Sequence, residues 1–143
     1  MKKNLSVYVT TALLLIADLV SKHVWYNQQF RSEKMFITPV LNTWISRSLP
    51  VPIIVSSLVG IWAIVFFFWL FQTKKLWWFA VSLLLAGTIG NVFDRIAFGW
   101  VRDFININLF NFPIFNLADI FLTGWIILGL IKEISTWKNT EKK

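Results

Sequence analysis

Long apolar runs alternate with short polar joints along this chain. The first run covers residues 5–20 and continues through Asp18 and Lys22 to Trp25 and Tyr26. The second, 51–71, carries no charge over 21 residues. A third follows from 76 to 97, with Trp77 and Trp78 as interface anchors, and a fourth runs from 117 to 134. Each comes close to the roughly 20 residues that an α-helix needs to cross about 30 Å of hydrocarbon. The pattern predicts four transmembrane helices at about 5–26, 51–71, 76–97 and 117–134, joined by outer loops 27–50 and 98–116, in one membrane domain over 1–143. Lys2 and Lys3 ahead of an apolar run would also suit a cleaved signal peptide, but no A-x-A-like site follows, so the first helix is read as retained.

The two outer joints have a different period. Pro39 and Pro50 argue against a helix across 27–50, and the alternation in MFITPVLNTWIS predicts short extended pieces. A strand is expected over 103–109, which Pro113 ends. The fold class expected is an all-α integral membrane protein with a small extracytoplasmic β-like cradle over its helices.

Composition agrees with that class. Hydrophobic residues make up 57% of the chain and charged residues 15%, with mean hydropathy +0.64. A net charge of +7 on a polar domain would suggest nucleic acid, but here the charges punctuate hydrophobic runs, so no nucleic-acid partner is expected. Lys2, Lys3, Lys74, Lys75, Lys132, Lys138, Lys142 and Lys143 fall on one side of the helices, with Glu133 and Glu141, a net +6. The other side carries a net +1. The positive-inside rule then places both termini in the cytoplasm. There is no Cys, which removes disulfides and thiolate chemistry, and a single His23 leaves no His-based metal centre or Ser–His–Asp triad. No metal and no cofactor are expected.

The polar signal gathers at the outer ends of the helices. Residues 90–119 hold Asp94, Asp103 and Asp119, three of the seven acids, together with Asn91, Arg95 and Asn116. Charge at a membrane helix end is costly unless it is paired, hydrated or used. Asn91 and Arg95 share a face at i,i+4, and Asn116 and Asp119 share one at i,i+3. Asp94 sits beside Arg95. Asp18 and Lys22, also i,i+4, read as an ion pair on the first helix, with Lys22 able to face a polar site. Antiparallel helices three and four would bring Asp103 and Asp119 to similar depth. Two adjacent carboxylates share a proton, and one can activate water while the other polarises a carbonyl. The spacing leaves other readings open: Asp119 as a helix cap, Asp103 paired with Arg102 or Arg95, or a carboxylate pair that binds a cation or relays protons in a small transport subunit.

Three ordered motifs narrow the choice. G-N-x-x-D-R at 90–95, V-x-D-F at 101–104 and F-N-x-A-D at 115–119 resemble the signature of the bacterial lipoprotein signal peptidases, the signal peptidase II family, and Asp18-x-x-x-Lys22 fits that family's first helix. The resemblance implies an intramembrane aspartyl endopeptidase of the bacterial inner membrane, with four helices and cytoplasmic termini. It would act as a monomer in contact with membrane lipids. It would release the signal peptide from prolipoproteins by cutting before a diacylglyceryl-modified cysteine. Carried over by position, Asp103 and Asp119 match the catalytic pair, and Asn91, Arg95 and Asn116 match residues that orient the pair or the substrate. Asp94 matches a supporting acid, and Asp18 and Lys22 match the first-helix pair. Asn42 stands where the family has an Asn in the loop before helix two, but Trp44 replaces the usual Gly and Arg47 stands near the usual aromatic. A degenerate member that binds lipoproteins without cutting them fits those two departures. Arg102, next to Asp103, is expected to face headgroups.

Overall fold

A computed structural model of the chain describes residues 2–26, 36–42, 52–73, 76–109 and 112–140, with side chains described between Leu5 and Leu128. Helix α1 (Lys2–Ser21) runs directly into a π-helical turn at Lys22–Tyr26. Strand β1 (Ile37–Asn42), helix α2 (Ile53–Gln72), helix α3 (Trp78–Phe98), strand β2 (Val101–Ile105) and helix α4 (Leu117–Thr140) follow. The four helices arise where the four apolar runs predict them. Among the described residues three helices are long and apolar enough to cross a membrane: Leu5–Tyr26, Ile53–Gln72 and Trp78–Phe98. The fourth is apolar over Leu117–Leu128 and remains helical to Thr140.

Local chemistry sets where the helices start and stop. Pro52 occupies the cap position of α2, where its missing N–H costs no hydrogen bond. Helix α3 ends at Gly99, whose φ of 82° lies in the left-handed region that glycine enters without strain. Its N–H donates to the Arg95 carbonyl at 3.1 Å. That turn sends the chain straight into β2.

Helix α3 is the axis of the molecule. It packs against α1, α2 and α4, and it is buried almost continuously from Ala80 to Asp94. Helix α2 is its opposite: Ile54, Leu58, Trp62 and Val65 are all exposed, as expected of a helix whose outer surface meets lipid. Small residues around the middle of α3 allow close approach. A Cβ on Gly87 would lie 2.6 Å from the Ala118 carbonyl oxygen, and one on Gly90 would overlap the Asp18 carboxylate. Gly87→Ala should therefore push α4 away at its first turn. We expect a loss of about 1–3 kcal/mol, read as a lower Tm in thermal unfolding of the detergent-solubilised protein.

The cradle is a two-stranded antiparallel sheet. Val40 lies opposite Asp103, Leu41 opposite Arg102 and Asn42 opposite Val101, with an irregularity between Ile37 and Val40. Pro39, which cannot donate to a ladder, sits in that irregular stretch. Phe115 bridges the other side of β2, exchanging backbone hydrogen bonds with Ile105 at 2.8 and 3.1 Å. The strand is thus held on both edges, and Val101–Phe104 are buried.

The observed strand is Val101–Ile105, not the expected 103–109. Pairing stops because the Asn106 side chain accepts the Asn108 N–H at 2.9 Å and Asn108 takes a φ of 50°. An Asn side chain competing for the backbone turns the chain despite the β-branched Ile107 between them. The departures at Trp44 and Arg47 lie outside the described residues; Asn42 lies within them.

Candidate active site

Four elements converge on the C-terminal end of α3. Strand β2 carries Asp103, which is 2% exposed. The start of α4 carries Asn116 and Asp119, α3 carries Asn91, Asp94 and Arg95, and the end of β1 carries Asn42. The junction of α1 with the π-helical turn carries Asp18 and Lys22.

Asn116 lies at the centre. It caps α4, accepting the Asp119 N–H through Oδ1 at 3.0 Å, while its own N–H donates to Asp119 Oδ2 at 3.1 Å. This reciprocal pair is a capping box with an aspartate at its third position. The Asn116 amide also donates to Asp103 Oδ1 at 2.7 Å and to Asn91 Oδ1 at 3.1 Å. Asn91 in turn donates to Asp119 Oδ1 at 2.9 Å. Asn42 completes the set, donating to Asp103 Oδ2 at 2.8 Å. Every oxygen of the two carboxylates therefore has a donor, and one pair of side-chain amides, Asn91 and Asn116, connects them. The cap alternative is realised in the hydrogen bonds of Asp119. It does not compete with a chemical role, because capping holds the carboxylate still.

Beneath the amides lies a buried set of charges. Lys22 pairs with Asp18 at 2.8 Å and approaches Asp94 at 3.4 Å, and it donates to Asn91 Oδ1 at 3.1 Å. The expected local pair on α1 is present, and Lys22 also reaches the polar site.

Two expectations need correction. Arg102 does not face headgroups and does not pair with Asp103. It is 7% exposed and turns inward, with Nη2 2.8 Å from Asp94 Oδ1 and its guanidinium carbon 4.4 Å from the centre of the Phe98 ring. Asp94 accordingly belongs with Arg102 and Lys22 rather than with its neighbour Arg95. The cause is the turn at Gly99, which folds β2 back beneath the end of α3, so a residue eight positions on comes closer than the adjacent one. Arg95 instead donates to the Asn91 carbonyl at 3.3 Å, one turn back, on the face its spacing implied. It is charge-coupled to Asp119 and Asp103. Sequence reasoning did not anticipate Arg102 as the partner of Asp94. The signal available was an arginine placed next to an essential-looking acid in an apolar segment, where a buried cation needs a second acid.

Burial pushes the Asp103 carboxyl up from 3.8 to about 7, and the charge of Asp119 adds to the rise. Hydrogen bonds from Asn42 and Asn116 and the charge of Lys22 act in the opposite direction but are outweighed. Between 3.8 and about 7 the folded chain holds a proton that the unfolded chain has released. This group's contribution to stability is complete below the lower value and is lost as pH rises through the upper one. Asp103→Asn should therefore shrink the fall in Tm between pH 5 and pH 8, measured by thermal unfolding of wild type and variant in parallel.

The chemistry available follows from these contacts. One carboxyl is lifted by burial to about 7 beside a second that is fixed by N–H donors, and the two are linked by neutral amides. Such a pair can take a proton from water at one oxygen and give one to a carbonyl at another. Among the described residues no group of three or more His, Cys, Asp or Glu side chains forms a metal-binding cluster.

Known proteins resemble this chain in sequence and fold. The family model for signal peptidase (SPase) II matches residues 10–134. Lipoprotein signal peptidases are among the relatives. One from Bartonella tribocorum is 40% identical over 91 residues, 59% of this chain and 54% of that protein. One from Staphylococcus aureus is 51% identical over 69 residues, 45% of this chain and 42% of that protein. One from Caldicellulosiruptor bescii is 51% identical over 57 residues, 40% of this chain and 37% of that protein. These matches span about half or less of the relatives' length. Two solved structures described as bacterial membrane enzymes superpose with TM-scores of 0.79 and 0.75, at 28% and 30% identity. The first covers 96% of this chain and 93% of its own, the second 89% and 91%. With the family model matching from the middle of α1 into α4, the chain belongs to the signal peptidase II family.

Proposed function

We propose that this chain is an intramembrane aspartyl endopeptidase that removes the signal peptide from prolipoproteins by cutting before a diacylglyceryl-modified cysteine. The observation that carries the reading is the Asn91–Asn116 amide pair, which holds Asp103 on one side and Asp119 on the other. Asp103, the carboxyl that keeps its proton near neutral pH, polarises the scissile carbonyl. Asp119, fixed by the α4 cap, takes a proton from the attacking water. The proton on Asp103 stabilises the oxyanion of the tetrahedral intermediate, and the proton gathered by Asp119 passes to the leaving amine. Arg95, beside both aspartates, suits a substrate backbone carbonyl, and Asn42 closes the site from the cradle.

In this reading the chain is multi-pass in the bacterial inner membrane with both termini in the cytoplasm, as the +6 and +1 charge balance favours. The four helices form one membrane domain. The site then lies at the outer boundary, where a lipid-anchored precursor presents its cleavage point. The acids lie at helix ends rather than along a mid-helix path, which disfavours a transport subunit. Both aspartates are present, which disfavours a non-cutting member.

The test is cleavage of a prolipoprotein by the reconstituted chain, followed by gel shift. The diacylglyceryl-modified precursor should be cut and the unmodified precursor left intact. Equal cleavage of both, or of neither, would remove the reading.

A further inference from the structure

Two backbone N–H groups bear on how the two aspartates are held. The N–H of Arg102, immediately before Asp103, donates to Asp94 Oδ2 at 3.0 Å. The N–H of Ala118, immediately before Asp119, donates to Asp18 Oδ1 at 2.9 Å. Both carboxylates meet the same ammonium: Lys22 Nζ is 2.8 Å from Asp18 Oδ2 and 3.4 Å from Asp94 Oδ2. Its third contact is Asn91 Oδ1, at 3.1 Å. An ammonium has three donors, and Lys22 meets three different side chains from two elements, Asn91 through a hydrogen bond and Asp18 and Asp94 as ion pairs. The side chains of Lys22, Asp18 and Asp94 have no exposed surface.

A lysine that only lowered the cost of inserting α1 would need Asp18 and nothing more. Here Asp94 and Asn91, both on α3, point at it as well. Asn91 Oδ1 accepts from Lys22 and from Asn116, so both its lone pairs are taken and its amide nitrogen must face Asp119. A flipped amide would set N–H donors against a cation.

We infer that Lys22 is a positioning residue: it ties together the two carboxylates that pin the backbone ahead of each aspartate, and it fixes the Asn91 amide with its donor toward Asp119. This rests on the reading of Asp103 and Asp119 as the working pair. Lys22 touches neither the substrate nor either aspartate in this arrangement; it acts through Asp18, Asp94 and Asn91. Arg102 stays with Asp94 when Lys22 is removed, so Asp94 keeps a counter-ion.

The decisive variant is the double substitution Asp18→Asn with Lys22→Met. Asn at 18 keeps an oxygen for the Ala118 N–H, and no unpaired charge remains buried. The double variant should unfold thermally like wild type, yet its kcat on the diacylglyceryl-modified precursor should fall about a hundredfold, with KM little changed. Its alkaline limb should move to higher pH, because the charge of Lys22 pulls the Asp103 carboxyl down while Asn42 of β1, Asn116 before α4, Asp119 of α4 and Arg95 of α3 stay in place. A double variant with wild-type kcat and an unshifted limb would show that Lys22 only neutralises charge and would overturn the inference. So would a double variant that fails to fold, since a positional role leaves the fold standing. If wild type itself leaves the precursor uncut, the reading of the pair fails. The side-chain amide resonance of Asn91, assigned by Asn91→Ser, still decides the role of Lys22: a shift in the double variant supports it and an unchanged resonance overturns it.

Discussion

We expect Asp119→Asn to abolish cleavage of a diacylglyceryl-modified precursor while the protein still purifies as a folded chain. The physical case rests on what Asn can and cannot replace. The Asn oxygen can still accept the Asn116 N–H or the Asn91 amide, which Asp119 now accepts at 3.1 and 2.9 Å, so the start of α4 keeps a cap. What disappears is the base. An amide does not take a proton from water near neutral pH, Asp103 serves as the acid, and Asp94 is committed to Arg102. Loss of general-base catalysis together with the shared proton amounts to a drop in kcat of about 10³-fold or more. Asp103→Asn should fall as far, through loss of the acid. Single-turnover cleavage in micelles, with folding followed by thermal unfolding, reads both quantities. Residual activity within tenfold of wild type in either variant would remove the pair from the chemistry.

Asn116→Ala is the second large effect, and it acts on both aspartates at once. The substitution removes the amide that donates to Asp103 at 2.7 Å and to Asn91 at 3.1 Å, and it removes the oxygen that caps the Asp119 N–H at 3.0 Å. The lost cap costs about 1 kcal/mol. Asn91 Oδ1 keeps its bond from Lys22, so the neighbouring network is weakened rather than orphaned. Without the link, each carboxylate relaxes independently, and kcat should fall about 10²- to 10³-fold, as when a preorganised donor is deleted from an active site. The alkaline limb should move to higher pH too, because the bond from Asn116 lowers the Asp103 carboxyl and its removal raises it. A pH–rate profile of the variant measures this. A profile that superposes on wild type after scaling would mean that Asn116 serves α4 alone.

Much of this was legible in the linear chain. Runs of apolar residues specify helices because a helix satisfies its own backbone, so hydropathy alone places α1 to α4. The pairing of Asn91 with Arg95, of Asn116 with Asp119 and of Asp18 with Lys22 follows from helical spacing, and each appears where the spacing puts it. Contacts made across a turn were not legible. Asp94 stands beside Arg95 in sequence, but it finds Arg102 because a left-handed glycine at 99 reverses the chain. The extent of β2 was misjudged for a related reason. Ile107 favours a strand, and the hydrogen bond between Asn106 and Asn108 overrides it. The convergence of Asp18 and Asp94 on Lys22 joins residues more than 70 positions apart, and no local pattern encodes it.

The buried charges also bear on how such a chain can be made. Asp18 finds its cation four residues later on the same helix, and Asp94 finds Arg102 eight residues later. Each acid therefore emerges from the ribosome within a few residues of its own counter-ion. Neither α1 nor α3 has to wait in the bilayer with an uncompensated acid until a later helix arrives. What α4 adds to that buried set is an uncharged group, the N–H of Ala118. Charge balance is settled locally and early during synthesis, and the long-range contacts that complete the site are left to α4.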